Sequence, residues 1–152
     1  MRPKQFMSRY EHAAERSAQL LQRLEWLEAQ KTSMQQLIDG MPHGSGRSDL
    51  QGKLLDLIVE VDDLKEAAAE ELEILIGIRK EVEAVIERVR DPRLSHLLFQ
   101  RYICHKTWMQ IAADMGRMFK PDQQTYSEHW MIDLHSEALR EVGKILDAQG
   151  KK

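Results

Sequence analysis

The sequence predicts an all-α protein in which a long helical hairpin or coiled coil is followed by a compact helical module. Charged residues make up 31% of the 152 residues and aromatic residues only 6%, a balance typical of helices with much exposed surface. Apolar residues recur over two long stretches at spacings that are sums of threes and fours, which is the spacing of one helix face. We expect residues 1–90 to form the hairpin region, with a loop at about 40–47, and residues 91–152 to form the module.

The first helix is expected from about Arg9 to Asp39. Ser8 followed by Glu11 has the spacing of a capping box, in which two side chains satisfy backbone N–H groups at a helix start. The Gly- and Pro-rich stretch 40–46 cannot continue the helix and should end it. The apolar face of this helix, called row one here, consists of Ala13, Leu20, Leu24, Leu27, Met34 and Ile38.

The second helix should begin near Ser48, which has capping-box spacing to Gln51. Its apolar face, called row two, consists of Leu50, Leu54, Leu57, Val61, Leu64, Ala68, Leu75, Ile78, Val82, Val85 and Val89. Only Glu71 interrupts this row. A row of this length requires a partner helix, because a lone helix would expose it to water. The partner is either the first helix, folded back on the second, or a second copy of the chain, which would form a homodimer through residues 50–89.

The module should begin at Asp91, which is placed to cap a helix that has Pro92 as its first residue. Proline costs little at that position, because the N–H that it lacks would have no partner there. We expect one amphipathic helix over residues 93–104. The thiol of Cys104 should be buried in the core of the module, as free cysteines often are.

Two further helices should complete the module. Thr107 and Gln110 have capping-box spacing and should begin a helix of about two and a half turns. Gly116 is expected to end that helix in a left-handed conformation. Thr125 and Glu128 have the same capping-box spacing and should begin a longer last helix.

The chain carries none of the common catalytic or cofactor-binding motifs, so we expect a protein without enzymatic activity, cofactor or metal. No two of its histidines flank a carboxylate at the spacing of a zinc protease; they are His12, His43, His96, His105, His129 and His135. The single cysteine excludes an internal disulfide and fits a reducing cytoplasm. No apolar run approaches the roughly 18 residues that a membrane span requires. We therefore expect a cytoplasmic protein.

The formal net charge of -3 argues against a protein that coats nucleic acid without sequence preference. The charge is unevenly distributed. Residues 48–92 hold 6 Lys and Arg against 13 Asp and Glu, whereas residues 93–152 hold 9 against 7. The acidity therefore lies in the second helix, and the module is slightly basic.

The sequence of the module resembles that of a known family. Residues 101–116 read RYICHKTWMQIAADMG, which resembles the pattern RYxxGxTWxEIAxxMG of phage-encoded proteins similar to region 4 of sigma factors. Residues 134–139, LHSEAL, resemble the LHxxAL ending of the same proteins, and residues 39–42 resemble a loop in their N-terminal half. The group includes late-transcription activators of the RinA and ArpU type, and the resemblance covers most of residues 39–146.

The resemblance implies a phage or prophage transcription regulator that binds double-stranded promoter DNA through a helix-turn-helix, together with host RNA polymerase, in the cytoplasm of a bacterial host. In such a module the start of the last helix meets the major groove, and the residues there are Tyr126, Ser127, Glu128, His129 and Met131. The residues in or beside the turns, which would contact phosphates, are Lys106, Thr107, Arg117 and Lys120. Trp130, Leu134 and Ala138 would lie in the core.

Two other functions are compatible with the same fold. One is a helical adaptor between proteins that has lost contact with DNA, since the expected recognition helix carries Glu128 and Asp133 and has no Lys or Arg before Arg140. The other is a DNA-packaging protein similar to a small terminase subunit, which would form ring-sized oligomers. A plain three-helix bundle also fits the periodicity of the module.

Overall fold

The computed structural model describes residues 2–44, 46–119 and 126–150. These residues form five α-helices and no β-strand, which confirms the all-α prediction. The helices are α1 (Pro3–Asp39), α2 (Arg47–Arg88), α3 (Pro92–Leu98), α4 (Trp108–Phe119) and α5 (Glu128–Ala148), and a π-helical turn, Phe99–Ile103, lies between α3 and α4. None of the described helices has the length and apolar character needed to cross a lipid bilayer.

The chain divides into two compact units. Ala14–Leu75 form one, called the hairpin unit here, and Met1–Ala13 with Ile76–Lys152 form the other, called the module unit. The start of α1 and the end of α2 therefore belong to the same unit as α3, α4 and α5. This division differs from the boundary near residue 90 that the sequence predicts.

In the hairpin unit, the two helices run antiparallel. Arg16 of α1 pairs with Glu71 of α2 at 3.8 Å, and Glu28, further along α1, pairs with Lys65, which comes earlier in α2, at 3.3 Å. Such exposed pairs contribute little stability, at most about 1 kcal/mol each, but they fix the direction of the helices. They also give Glu71, the residue that interrupts row two, a charged partner.

Both apolar rows are covered within a single chain. In the hairpin unit Leu27, Ile38, Leu54 and Val61 are buried, and the other members of the rows there are half-buried. Burying one such aliphatic side chain contributes roughly 1.5–3 kcal/mol, so these rows outweigh the exposed ion pairs. A homodimer through residues 50–89 would have to displace these contacts.

The start of α1 differs from the prediction. The helix begins at Pro3, so Ser8 lies inside it and is not an N-cap. Arg2 instead donates its backbone N–H to Oε1 of Gln5 at 3.3 Å. Phe6 and Met7 are buried in the core of the module unit, and this burial extends the helix toward the N-terminus beyond its local signal. Ser48 likewise lies inside α2.

The core of the module unit combines the first turns of α1 and the last turns of α2 with the three C-terminal helices. Its largest fully buried side chains include Leu94, Leu97 and Leu98 of α3, with Ile111, Met115 and Met131 from α4 and α5. Asp91 caps α3 as predicted: its side chain accepts the backbone N–H of Arg93 at 2.9 Å, and Pro92 occupies the first turn. A hydrogen bond from the Arg93 guanidinium is the main cause of the lowered pKa of Asp91.

The single helix predicted over residues 93–104 is wrong, because α3 ends at Leu98 and a π-helical turn follows. The chain then leaves the helical path, and His105 has a φ of 56°, in the left-handed region. The family pattern has glycine at this position, the residue that adopts this region most readily. Because the chain turns here, the Cys104 thiol is exposed, and the expectation that it is buried is also wrong.

Helix α4 continues past Gly116 to Phe119, so Gly116 does not end it. Both Ala112 and Gly116 are buried on the same face of α4, where small residues allow close packing. Ser127 caps α5, because its hydroxyl accepts the backbone N–H of Trp130 at 3.2 Å. Thr125, the predicted cap, lies outside the described residues.

His105 provides a test of the backbone conformation. We expect His105→Gly to be more stable than His105→Ala by about 1 kcal/mol, because an L-residue in the left-handed region is strained by roughly that amount. Both variants remove the contact between the rings of His105 and Tyr10, whose centres lie 5.4 Å apart. The loss of this contact therefore cancels in the comparison. The free energy of unfolding in urea measures the difference.

The control for this comparison is Ala69→Gly on the exposed face of α2. In a right-handed helix the preference reverses, and glycine should be less stable than alanine by about 1 kcal/mol. If alanine were the more stable residue at both positions, the left-handed conformation of residue 105 would be contradicted.

Candidate nucleic-acid interface

Four residues of the stretches 101–116 and 134–139 meet at one place in the module unit. The guanidinium of Arg101 lies 4.6 Å from the centre of the Trp108 ring. The hydroxyl of Tyr102 lies 2.6 Å from Nε2 of His135, and the rings of Trp108 and His135 pack edge to face at 4.7 Å. We call these four residues the motif junction. They come from the RY, TW and LH parts of the pattern and link the π-helical turn to α4 and α5.

Burial determines the protonation of the motif junction. It raises the pKa of Tyr102 to about 12. It also lowers the pKa of His135 to about 4, with smaller contributions from the positive charges of Lys4 and Arg101. Both groups are therefore neutral at pH 7. The phenol donates to Nε2 in the tautomer that carries the imidazole proton on Nδ1.

The start of α4 has the predicted capping box. The hydroxyl of Thr107 accepts the backbone N–H of Gln110 at 3.2 Å, and Oε1 of Gln110 accepts the backbone N–H of Thr107 at 3.0 Å. The preceding turn is held by Arg101, which donates to the backbone carbonyl of Lys106 at 3.0 Å. Lys106 and Thr107 thus lie on a backbone that is fixed by hydrogen bonds on both sides.

Lys106 and Arg117 share one carboxylate. Nζ of Lys106 lies 3.2 Å from Oδ2 of Asp114, and Nη2 of Arg117 lies 2.7 Å from Oδ1. We call these three residues the Asp114 triad. Hydrogen bonds from Arg117 and then Lys106 lower the pKa of Asp114. Lys120, the remaining cation predicted to contact phosphate, lies outside the described residues.

Three of the residues predicted to meet the major groove are exposed at the start of α5. They are Ser127, Glu128 and His129. The hydroxyl of Ser127 is engaged as the helix cap. Nε2 of His129 lies 3.6 Å from Oδ2 of Asp133, and both side chains are largely exposed.

The other two predicted groove residues are buried, and this part of the prediction is corrected. Tyr126 is 4% exposed and Met131 is 1% exposed. Tyr126 donates its backbone N–H to the carbonyl of Ala112 at 3.2 Å. The buried face of α5 continues through Leu134 and then Ala138, at helical spacing, and Met131 is on that face. Both residues anchor α5 to the core and are not available to a base.

The prediction for the rest of α5 is partly confirmed. Leu134 and Ala138 are buried as expected, but Trp130 is 42% exposed. Glu128, Asp133 and Glu137 are all exposed along this helix, and Arg140 is also exposed. The exposed surface of α5 is therefore mostly acidic. The cations that line the same cavity as Glu128, in the first turn of α5, are Lys4 and Arg101.

The module unit contains a cavity that no sequence pattern predicts. Its volume is about 610 Å³, and its wall includes Tyr102, Trp108 and His135 of the motif junction. Two side chains on its wall are strongly exposed, Met109 at 84% and Ile132 at 59%. No cluster of metal-ligating side chains large enough to hold an ion occurs in the described part of the chain.

No protein-family model matches this sequence, and no curated protein or solved structure matches it at a significant level. A function for the chain is therefore inferred from its motif residues and from the contacts that these residues make.

The motif junction predicts a pH dependence of stability. The pKa of His135 is 6.5 ordinarily and about 4 in the folded chain, so the unfolded chain takes up the proton first as the pH falls. The contribution of His135 to the free energy of unfolding is complete above pH 6.5 and is lost on acidification toward pH 4. Because solvent screens this part-buried ring, we expect a loss of about 1–2 kcal/mol. Urea unfolding at a series of pH values measures this loss.

The comparison variant is His135→Gln, which keeps a polar side chain but does not titrate. Its free energy of unfolding should fall less than that of the unchanged chain between pH 6.5 and 4. The other groups that titrate in this range, such as His96 with its lowered pKa, are present in both proteins and cancel. If the free energy of unfolding fell by the same amount in both proteins between pH 6.5 and 4, the lowered pKa of His135 would be contradicted.

Proposed function

We propose that this protein is a phage or prophage transcription regulator that binds promoter DNA through α4 and α5, in the manner of sigma region 4. The observation that carries the proposal is the motif junction, because the residues that define the family resemblance are also those that join α4 to α5. The hydrogen bond from Tyr126 to Ala112 supports the same pairing of the two helices. In this arrangement the first turn of α5 enters the major groove.

Base contacts in this proposal come from Glu128 and His129. Both side chains are exposed in the first turn of α5, where a recognition helix meets base edges. A glutamate accepts a hydrogen bond from cytosine N4, and other polar side chains contact base edges with less selectivity. The hydroxyl of Ser127 serves mainly as the helix cap, so a change of Ser127 would alter the helix as well as any contact.

Phosphate contacts come from Lys106 and Arg117, with the Thr107 hydroxyl beside them. Two cations give only a modest affinity for DNA, because the electrostatic part of the binding free energy grows with the number of phosphates that are neutralised. A second binding partner is therefore part of the proposal, and host RNA polymerase fits that role. The hairpin unit, proposed to be an antiparallel coiled coil, provides a further surface for a protein partner.

Selection of the full chain against random duplexes at about 50 mM salt, followed by fluorescence anisotropy on the enriched duplex, tests the proposal. One sequence should be enriched, and its affinity should fall as the salt concentration rises. A folded, helical protein that enriches no duplex would contradict direct DNA binding.

Two variants then test the surface. His129→Ala should weaken binding to the enriched duplex by about 1 kcal/mol, as expected for one lost base contact, whereas His12→Ala, an exposed histidine on α1, should not change it. Arg117→Ala should reduce the slope of log affinity against log salt by about 1, and Arg88→Ala should leave it unchanged. Equal effects of each variant and its control would exclude this surface.

An adaptor between proteins is the second candidate. The observation in its favour is the combination of the acidic exposed surface of α5 with Met109 and Ile132, two exposed apolar side chains on the wall of the cavity. Exposed apolar groups beside a concave surface are typical of protein interaction sites. An adaptor would bind no duplex at any salt concentration, so the selection experiment distinguishes the two candidates.

A further inference from the structure

Side chains of the proposed DNA surface contact aspartates of the same unit. Asp114 holds both Lys106 and Arg117, and Asp133 lies beside His129. A phosphate would meet positive charges that the Asp114 carboxylate already partly neutralises. The stronger case is Asp114, since one carboxylate engages two cations at short distances.

We propose that Asp114 limits the affinity of the DNA surface by competing with phosphate for Lys106 and Arg117. This inference rests on the proposed function and adds an internal competitor to it. The Asp114 triad carries a net charge of one positive unit, and without the carboxylate it would carry two. With Asp114 present, the chain therefore binds DNA more weakly than Lys106 and Arg117 would allow by themselves.

The size of the effect follows from the position of the carboxylate. The Asp114 side chain is 25% exposed and the Arg117 side chain 71%, so solvent screens the triad but does not remove the interaction. Two unit charges about 4 Å apart that are fully screened by water interact by an amount that corresponds to about a 3- to 10-fold change in affinity. Repulsion between Asp114 and an approaching phosphate acts in the same direction as the competition.

Asp114 has an alternative role that predicts the opposite sign. A carboxylate can orient two flexible cations toward a ligand, in which case its removal weakens binding. Arg101 and the Thr107–Gln110 capping box already hold the backbone at Lys106, so Asp114 would orient only the two side chains, and the sign of the change in affinity separates the two roles. Removal of a surface ion pair also costs little stability, so the variant should remain folded.

The test uses the full chain and the duplex enriched by selection. Asp114→Asn should bind about 3- to 10-fold more tightly than the unchanged chain at 50 mM salt, with a salt slope about one unit steeper for each additional phosphate that is neutralised. Asp114→Glu keeps the charge and should bind like the unchanged chain. Asp63→Asn removes one negative charge from an exposed site on α2 and controls for net charge; it should also bind like the unchanged chain.

A second comparison assigns the gain to the two cations. In a chain that carries Lys106→Ala and Arg117→Ala, the further change Asp114→Asn should give a clearly smaller gain in affinity. The cations that it would release are absent there, and only the repulsion between Asp114 and phosphate is relieved. Circular dichroism and urea unfolding of every variant check that the fold is intact.

The outcomes distinguish a failure of the proposed role of Asp114 from a failure of the proposed DNA-binding function. If the unchanged chain binds the duplex and Asp114→Asn binds equally or more weakly, the inhibitory role of Asp114 is overturned and the proposed function stands. A gain of the same size in Asp63→Asn would also overturn it, because net charge alone would then account for the effect. If neither protein binds any duplex, the proposed function fails, and the role of Asp114 fails with it.

Discussion

The hydrogen bond between Tyr102 and His135 is the contact on which the candidate surface depends. It joins the π-helical turn to α5, and Trp108 at the start of α4 packs its ring against the same imidazole. Because both partners are neutral, the pair avoids the cost of burying a charge. Together with the hydrogen bond from Tyr126 to Ala112 and the apolar core, this part-buried pair positions α4 and α5, which carry or adjoin the exposed candidate residues.

Much of the fold could be predicted from local patterns. The two apolar rows repeat with the period of one helix face. The Asp91–Pro92 helix start and the Thr107–Gln110 capping box are signals contained within a few residues, and the structure contains both of them. Where the predicted ends of helices are wrong, tertiary packing determined the actual ends. Phe6 and Met7 are buried and extend α1 beyond its local signal, and Gly116 packs inside α4 instead of ending it.

The candidate site was less predictable for two physical reasons. The π-helical turn after Leu98 follows a different period from an α-helix, so the helical pattern of the sequence cannot be extended through residues 99–103. The Asp114 triad joins residues eight positions apart through a long lysine side chain, a contact that no spacing rule specifies. Glu128 and His129 are exposed, whereas Tyr126 and Met131, from the same predicted stretch, are buried because they pack in the core.

The exposed thiol of Cys104 has a practical consequence. It is the single cysteine of the sequence, and it lies between the π-helical turn and α4, two residues before Lys106. A maleimide dye would therefore attach at one defined position beside the Asp114 triad without any engineered cysteine. The native chain thus provides its own attachment point for a fluorescent or paramagnetic reporter, close enough to the candidate surface to register the arrival of a ligand.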